Sequence, residues 1–154
     1  MASVRVDIIS IGTLSRNRLW NEREATRTAH ATTTLIRSGK RTVLVDPGLP
    51  APALAARLYE RTGLGPEQVD TIFLTNFRAS HRAGLELFGK ARILIHEAEQ
   101  QSAHQRLTGL IDDAPEQDED RAFMQRERTL LEKFTAAVQR GRDRLQGREE
   151  AEVS

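Results

Sequence analysis

The sequence has no cysteine and no long hydrophobic run, and each absence removes a class of proteins. Without a cysteine among its 154 residues, the chain forms no disulfide and has no thiol nucleophile, iron–sulfur cluster or thiolate zinc site. No apolar run approaches the roughly 20 residues that cross a bilayer, so no membrane partner is expected. Arg5 and Asp7 interrupt the apolar stretch at the N-terminus. That stretch is unlike a signal peptide, which favours a cytoplasmic location.

The chain also has little excess charge of either sign. Its 23 lysines and arginines against 22 aspartates and glutamates give a formal net charge of +1. Nucleic-acid binding through overall positive charge is therefore disfavoured, and no nucleic-acid partner is expected. The length fits one domain. The apolar share of 38% and the charged share of 29% predict a modest core with a strongly solvated surface or tail.

Strands and helices alternate along the first two thirds of the chain. Apolar runs predict strands, apolar residues at helical spacing predict helices, and Gly39 marks a hairpin turn between two of the strands. From residue 41 to residue 108 this alternation is typical of an α/β layer structure with at least one parallel pair of strands. The predicted strands span residues 4–11, 32–37, 41–46, 69–74 and 91–96, and the predicted helices span 52–62, 81–88 and 97–110.

The last third of the chain differs from the rest. Residues 112–120 hold six acids and a proline, which indicates a linker or solvated loop. Beyond them, apolar residues recur every seven positions, at Met124, Leu131, Val138 and Leu145, and predict a long amphipathic helix. The predicted organisation is an α/β domain over residues 1–110, an acidic linker over 111–120 and a C-terminal helix over 121–148.

Four segments follow one another in an order that is similar to a known fold family. They are TTTLIRSGKRTVLVDPGL, GLGPEQVDTIFLTN, HRAGLELF and ARILIHEAE, all between residues 32 and 99. This order resembles the N-terminal half of the metallo-β-lactamase fold family, in which two strands lead into an Asp-x-Gly turn. In that family a helix, a strand and the sequence Thr-His-x-His-x-Asp-His follow. The resemblance implies an α/β half-domain, with a mixed sheet flanked by helices.

The resemblance fails at the metal-binding motif. In the family, imidazoles and a carboxylate of this loop hold divalent metals, which lower the pKa of bound water and make hydroxide available. Here Asn76, Arg78 and Ser80 take the places of the first His, the second His and the Asp, and only His81 is retained. An amide is a weak zinc ligand. A guanidinium is permanently protonated and repels a dication.

The family's later metal ligands also have no counterpart in this sequence. Nothing after His104 resembles the family's Gly-His-Thr-Pro-Gly-His-like stretch, and no histidine follows residue 110. We therefore expect a degenerate, non-catalytic member that acts by binding or assembly, without a cofactor. The alternative is a divergent hydrolase of esters, thioesters, amides or phosphate esters. It would hold zinc or another divalent metal through groups such as His81 and Asp46, joined by those of a partner chain.

Three further expectations concern binding. By analogy with the family, Asp46 should support the loop from residue 75 to residue 81, accepting hydrogen bonds from its backbone. Arg78, with Arg16 and Arg18 of the arginine-rich segment before residue 30, could form an anion-binding site, because guanidinium groups match anionic oxygens. An exposed apolar sheet face or the C-terminal helix could bind a second copy or a partner protein, because such faces and open sheet edges promote association. The alternative is that the C-terminal helix covers the sheet face of its own chain.

Overall fold

A five-stranded mixed sheet forms the framework of the first part of this computed structural model, which describes residues 3–134. The strands lie side by side in chain order. The second strand is antiparallel to the first and to the third, and the third and fourth are parallel. This arrangement confirms the predicted α/β class and the parallel pair. The strands are β1 (Val4–Ser10), β2 (Thr33–Ser38), β3 (Arg41–Val45), β4 (Thr71–Leu74) and β5 (Arg92–Ile95).

The hairpin and the first helix form where the sequence predicts them. Gly39 adopts a φ of +57° in the turn between β2 and β3, a conformation that glycine reaches without steric cost. Helix α1 (Ala51–Thr62) begins after Pro50 and has Pro52 in its first turn, where a missing N–H removes no intrahelical bond. Gly63 ends the helix in the left-handed conformation, and its N–H donates to the carbonyl of Tyr59.

One face of the sheet is buried. Leu35, Leu44 and Ile72 stand opposite one another in β2, β3 and β4, and all three are inaccessible to solvent. Helix α1, which packs against β1, contributes the fully buried Leu54 and Leu58. Burying such side chains is the main favourable contribution to folding. This core fixes the positions of the loops at the carboxyl ends of β3 and β4.

The opposite face of the sheet is apolar and largely exposed. Val4, Val6 and Ile8 alternate along β1 and expose 64%, 58% and 47% of their surfaces, and Phe73 of β4 exposes 36%. Side chains in register with them across the sheet include the half-buried Ile36, Val43 and Val45. We call these seven side chains the open sheet face. This is an exposed apolar sheet face of the kind that the sequence analysis expects.

The segment from residue 81 to residue 88 departs from its prediction. Instead of one short helix, the structure has two separate 3-10 turns, Ala79–His81 and Leu85–Phe88. Gly84 lies between them, packed so closely that a Cβ there would come within 2.6 Å of both the carbonyl oxygen of Leu49 and a methyl of Leu54. Close packing of this backbone against α1 and its preceding loop therefore takes precedence over helical propensity.

The chain divides into two units, residues 1–94 and 95–154. Within the described part of the second unit, helix α2 (Glu97–Asp113) is followed by a connection at residues 114–118 and by helix α3 at residues 119–134. Thr108 of α2 accepts a hydrogen bond from Arg128 of α3. Both ends of the predicted acidic linker are thus helical, because α2 extends to Asp113 and α3 begins at residue 119. The predicted helix beyond residue 134, including Val138 and Leu145, lies outside the described residues.

Candidate functional site

A buried carboxylate holds together the loops at the carboxyl ends of β3 and β4. Asp46 directly follows β3 and is 6% exposed. Its Oδ1 accepts a hydrogen bond from the backbone N–H of Thr75 at 2.9 Å, and its Oδ2 accepts one from the Thr75 hydroxyl at 2.6 Å. These bonds include the backbone bond that the sequence predicts for Asp46. They use one lone pair on each carboxylate oxygen.

The backbone at Asp46 adopts an uncommon conformation. Its φ of +53° lies in the left-handed region, which aspartate tolerates better than most residues other than glycine. The Asp46 N–H donates to the carbonyl of Phe73, and the Asp46 carbonyl accepts a hydrogen bond from the hydroxyl of Thr33. The residue is therefore held through its backbone as well as its side chain.

Thr33 is a site residue that the sequence did not indicate. Its side chain is completely buried, donates to the carbonyl of Asp46 at 2.6 Å and accepts from the N–H of Gly48 at 3.2 Å. It thus links the start of β2 to both sides of the turn at residues 46–48. In the sequence, Thr33 is one of three consecutive threonines at a strand start, and nothing in that pattern distinguishes it from its neighbours.

Close backbone contact joins this turn to the loop after β4. A Cβ at Gly48 would lie 2.7 Å from the carbonyl oxygen of Ser80 and 2.8 Å from the backbone N and O of Ala31. The N–H of Ala31 donates to the same Ser80 carbonyl. Three chain segments therefore meet at Gly48, and only glycine fits there without displacing backbone.

The four positions aligned with the metal motif all lie in this loop, between residues 76 and 81. The Oδ1 of Asn76 accepts from the N–H of Arg78 at 2.9 Å, and the hydroxyl of Ser80 lies 3.1 Å from Nδ1 of His81. Asn76, Ser80 and His81 are partly buried, whereas Arg78 is exposed. No group of three or more His, Asp or Glu side chains close enough to share a metal ion occurs within residues 3–134.

A second cation, Arg82, directly follows the loop and is partly buried. The guanidinium of Arg82 lies 4.2 Å from the centre of the Phe77 ring, and its Nε donates to the Phe77 carbonyl at 3.0 Å. Burial lowers the pKa of Arg82 from its usual high value, because a low-dielectric surrounding disfavours the charged form. The contact with the ring face compensates part of this cost, so Arg82 acts as a structural support for the loop.

The arginines of the predicted anion site lie in two separate segments of the chain. Arg16 donates to the carbonyl of Arg23, and Arg18 belongs to a 3-10 turn at Arg18–Trp20. In the same segment Arg27 is paired with Glu22, and this guanidinium holds the pKa of the carboxylate below its usual value. A joint anion site of Arg16, Arg18 and Arg78 stays a prediction.

The fold agrees with comparisons to known proteins. The sequence profile of the metallo-β-lactamase superfamily matches residues 27–146, so the chain belongs to that superfamily. No curated protein matches the chain. Within the described residues, no helix has the length and apolarity to span a membrane.

Two solved structures illustrate the likeness of fold. The metallo-β-lactamase candidate tm0894 of Thermotoga maritima is 17% identical to this chain with a TM-score of 0.52, over 70% of this chain and 50% of that one. AidC, a dizinc quorum-quenching lactonase, is 17% identical with a TM-score of 0.53, over 71% and 42%. The chain thus spans about half the length of these structures.

Proposed function

We propose that this chain is a non-hydrolytic member of the metallo-β-lactamase superfamily that acts by binding or assembly. The observation that carries the proposal is the chemistry of the loop at residues 75–81. The loop is hydrogen-bonded to Asp46 through Thr75. An amide, a guanidinium and a hydroxyl stand at its three positions aligned with metal ligands. The scaffold of a site is therefore present with a different set of side chains.

These side chains do not fit a divalent metal. The Asn76 oxygen is already an acceptor for the loop backbone, and an amide oxygen is a poor zinc ligand compared with imidazole. The guanidinium of Arg78 has no lone pair to donate and would place a positive charge beside a dication. His81 is then the one remaining imidazole of the motif, whereas zinc sites in proteins use three or four side chains.

The alternative is a divergent metal-dependent hydrolase of an ester, thioester, amide or phosphate ester. It would need ligands from outside the described residues to join His81. The two functions differ in a measurable property. A hydrolase of this class would keep its metal through purification, whereas a binding protein would not.

We expect the purified full-length chain to hold well below one equivalent of zinc, iron or manganese. The measurement is elemental analysis after the chain is incubated with each metal and then dialysed. A zinc-binding protein of similar size, carried through the same steps, controls for loss of metal on dialysis. One or more equivalents retained by this chain would contradict the proposal and favour the hydrolase.

For assembly, we propose a second copy of this chain as the partner of the open sheet face. The face combines seven apolar side chains with β1, which forms an edge of the sheet. Its seven members are valine, isoleucine and phenylalanine, and the exposed Arg41 lies at the border of the same face, in register with Ser38 and Val4. The centre of the face is therefore apolar and complementary to a copy of itself. Two sheets that pack face to face bury such side chains at a separation of about 10 Å.

Val6→Lys is expected to shift the chain from dimer to monomer, because Val6 lies in the middle of β1 on this face and a buried ammonium would have no partner. The measurement is sedimentation equilibrium or light scattering across a concentration series. Tyr59→Lys is the matched control, since Tyr59 is 69% exposed on α1 and lies away from the face. The proposed partner would be contradicted if the native chain were monomeric, or if both variants dimerised with equal affinity.

A further inference from the structure

An open cavity of about 380 Å³ lies between β1, the turn after β3 and helix α1, and it is separate from the loop at residues 75–81. This volume falls within the range of small-molecule sites. None of the residues aligned with the metal motif lines the cavity. Its walls are formed by Ile8, Ile9, Ser10, Ile11, His30, Leu49, Arg57 and Arg61.

The lining divides into an apolar part and a cationic part. Four of the eight lining residues are isoleucine or leucine, namely Ile8 and Ile9 in β1, Ile11 directly after it and Leu49 after β3. Arg57 and Arg61 stand four residues apart on α1, so both guanidinium groups extend from the same face of the helix. A cavity of this composition suits a ligand with an alkyl chain and one anionic end.

The charge of the two arginines is only partly compensated by protein groups. Arg57 forms an ion pair with Glu60 at 3.1 Å and keeps further N–H donors. Arg61 makes no hydrogen bond or ion pair with any other residue in the described part of the chain. No acidic residue lines the cavity. A carboxylate is therefore the complementary group, because guanidinium binds it through two parallel hydrogen bonds.

A buried hydroxyl in the lining gives independent support. Ser10 is 8% exposed, and its Oγ has no hydrogen-bond partner among the residues described by the structure. Buried polar groups in proteins are nearly always hydrogen-bonded. An oxygen of a ligand in the cavity would supply the missing partner. The unpaired Ser10 hydroxyl thus points to the same conclusion as the two arginines, namely an occupant that carries an acceptor.

We propose that this cavity binds a medium-chain alkyl carboxylate, with the carboxylate held by Arg57, Arg61 and the Ser10 hydroxyl and the alkyl chain packed against Ile11 and Leu49. The site goes beyond the proposed loss of hydrolysis and does not depend on it. Metal analysis tests the loop at residues 75–81, whereas ligand titration tests the cavity, so either proposal can fail alone.

The test is calorimetric titration of the full-length chain with octanoate. Submillimolar binding is expected for a ligand of this size. Octanol, which lacks the charge, and acetate, which lacks the alkyl chain, are both expected to bind at least roughly tenfold more weakly. Equal affinity for octanoate and acetate would indicate a simple anion site and overturn the proposal, as would the absence of octanoate binding.

Variants locate the binding in the cavity. Arg57→Gln combined with Arg61→Gln is expected to weaken octanoate binding at least roughly fivefold, and Ser10→Ala severalfold, because each removes donors to the carboxylate. Lys40→Gln removes one positive charge at the exposed hairpin turn and should leave the affinity unchanged. Circular dichroism of each variant verifies its fold. Unchanged affinity in the folded arginine double variant or in folded Ser10→Ala would overturn the assignment of the cavity.

Discussion

A chain carrying Asn76→His, Arg78→His and Ser80→Asp together is expected to bind Zn²⁺ at least roughly tenfold more tightly than the native chain. The substitutions add two neutral imidazoles and a carboxylate beside His81, and they remove the fixed positive charge of Arg78. The loop lies where Asp46 holds it through Thr75, so the new side chains enter a backbone that is already positioned. Calorimetric titration with zinc at neutral pH measures the change.

A second variant separates the removal of charge from the addition of ligands. Asn76→Ala, Arg78→Ala and Ser80→Ala together remove the guanidinium without supplying donors, so zinc affinity should rise much less than in the histidine-containing chain. Equal zinc affinity in the native and histidine-containing chains would show that the loop side chains do not determine metal binding. The proposed reason for the loss of hydrolysis would then be wrong.

The elements of the sheet could be predicted because their causes are local. The run of β-branched residues before and after Gly39 defines a hairpin, since strand propensity and a glycine turn act within a few residues. The resemblance to the superfamily adds the Asp-x-Gly turn at Asp46-Pro47-Gly48 and a hydrogen bond from the backbone of the loop at residues 75–81 to Asp46, without naming the donor. The structure confirms that bond and adds the second one, from the Thr75 hydroxyl.

The segment around Gly84 could not be predicted, because its conformation depends on distant parts of the chain. Leu85 and Phe88 are three residues apart and favour a helical turn in the sequence, but the N–H of Gly84 donates to the carbonyl of Pro47. That bond, together with close contact to Leu49 and Leu54, selects two short 3-10 turns. Tertiary packing determines the backbone conformation here, and the pattern of residues along a single sequence does not indicate such packing.

The cavity could not be predicted from the sequence for a related reason. Ser10, Leu49 and Arg61 are far apart in the chain, and each has an ordinary role in its own segment. A serine ends a strand, a leucine follows a turn and an arginine completes a helix. Only the packing of α1 beside β1 brings them together. Sites assembled in this way depend on topology, whereas the loop at residues 75–81 is contiguous and could be interpreted from its residues alone.

Asp46→Ala is expected to lower the free energy of unfolding by about 3 to 4 kcal/mol, because it removes two hydrogen bonds from a buried carboxylate and places alanine at a φ of +53°. The two causes can be separated by further substitutions. Asp46→Gly loses the same hydrogen bonds but accepts the left-handed backbone, so it should be less destabilising than alanine by about 1 kcal/mol. Asp46→Asn keeps one acceptor and tolerates that conformation, and it should be the mildest of the three.

Urea unfolding monitored by circular dichroism measures these differences as changes in the midpoint at constant slope. Thr75→Val, alone and combined with Asp46→Ala, isolates the bond between Oδ2 and the Thr75 hydroxyl through a double-mutant cycle. A coupling energy of about 1 kcal/mol is expected for this pair. If all three Asp46 variants have the same urea midpoint of unfolding as the native chain, the carboxylate does not support the loop. The retained geometry of the loop would then have to come from the Thr33, Gly48 and Ser80 contacts alone.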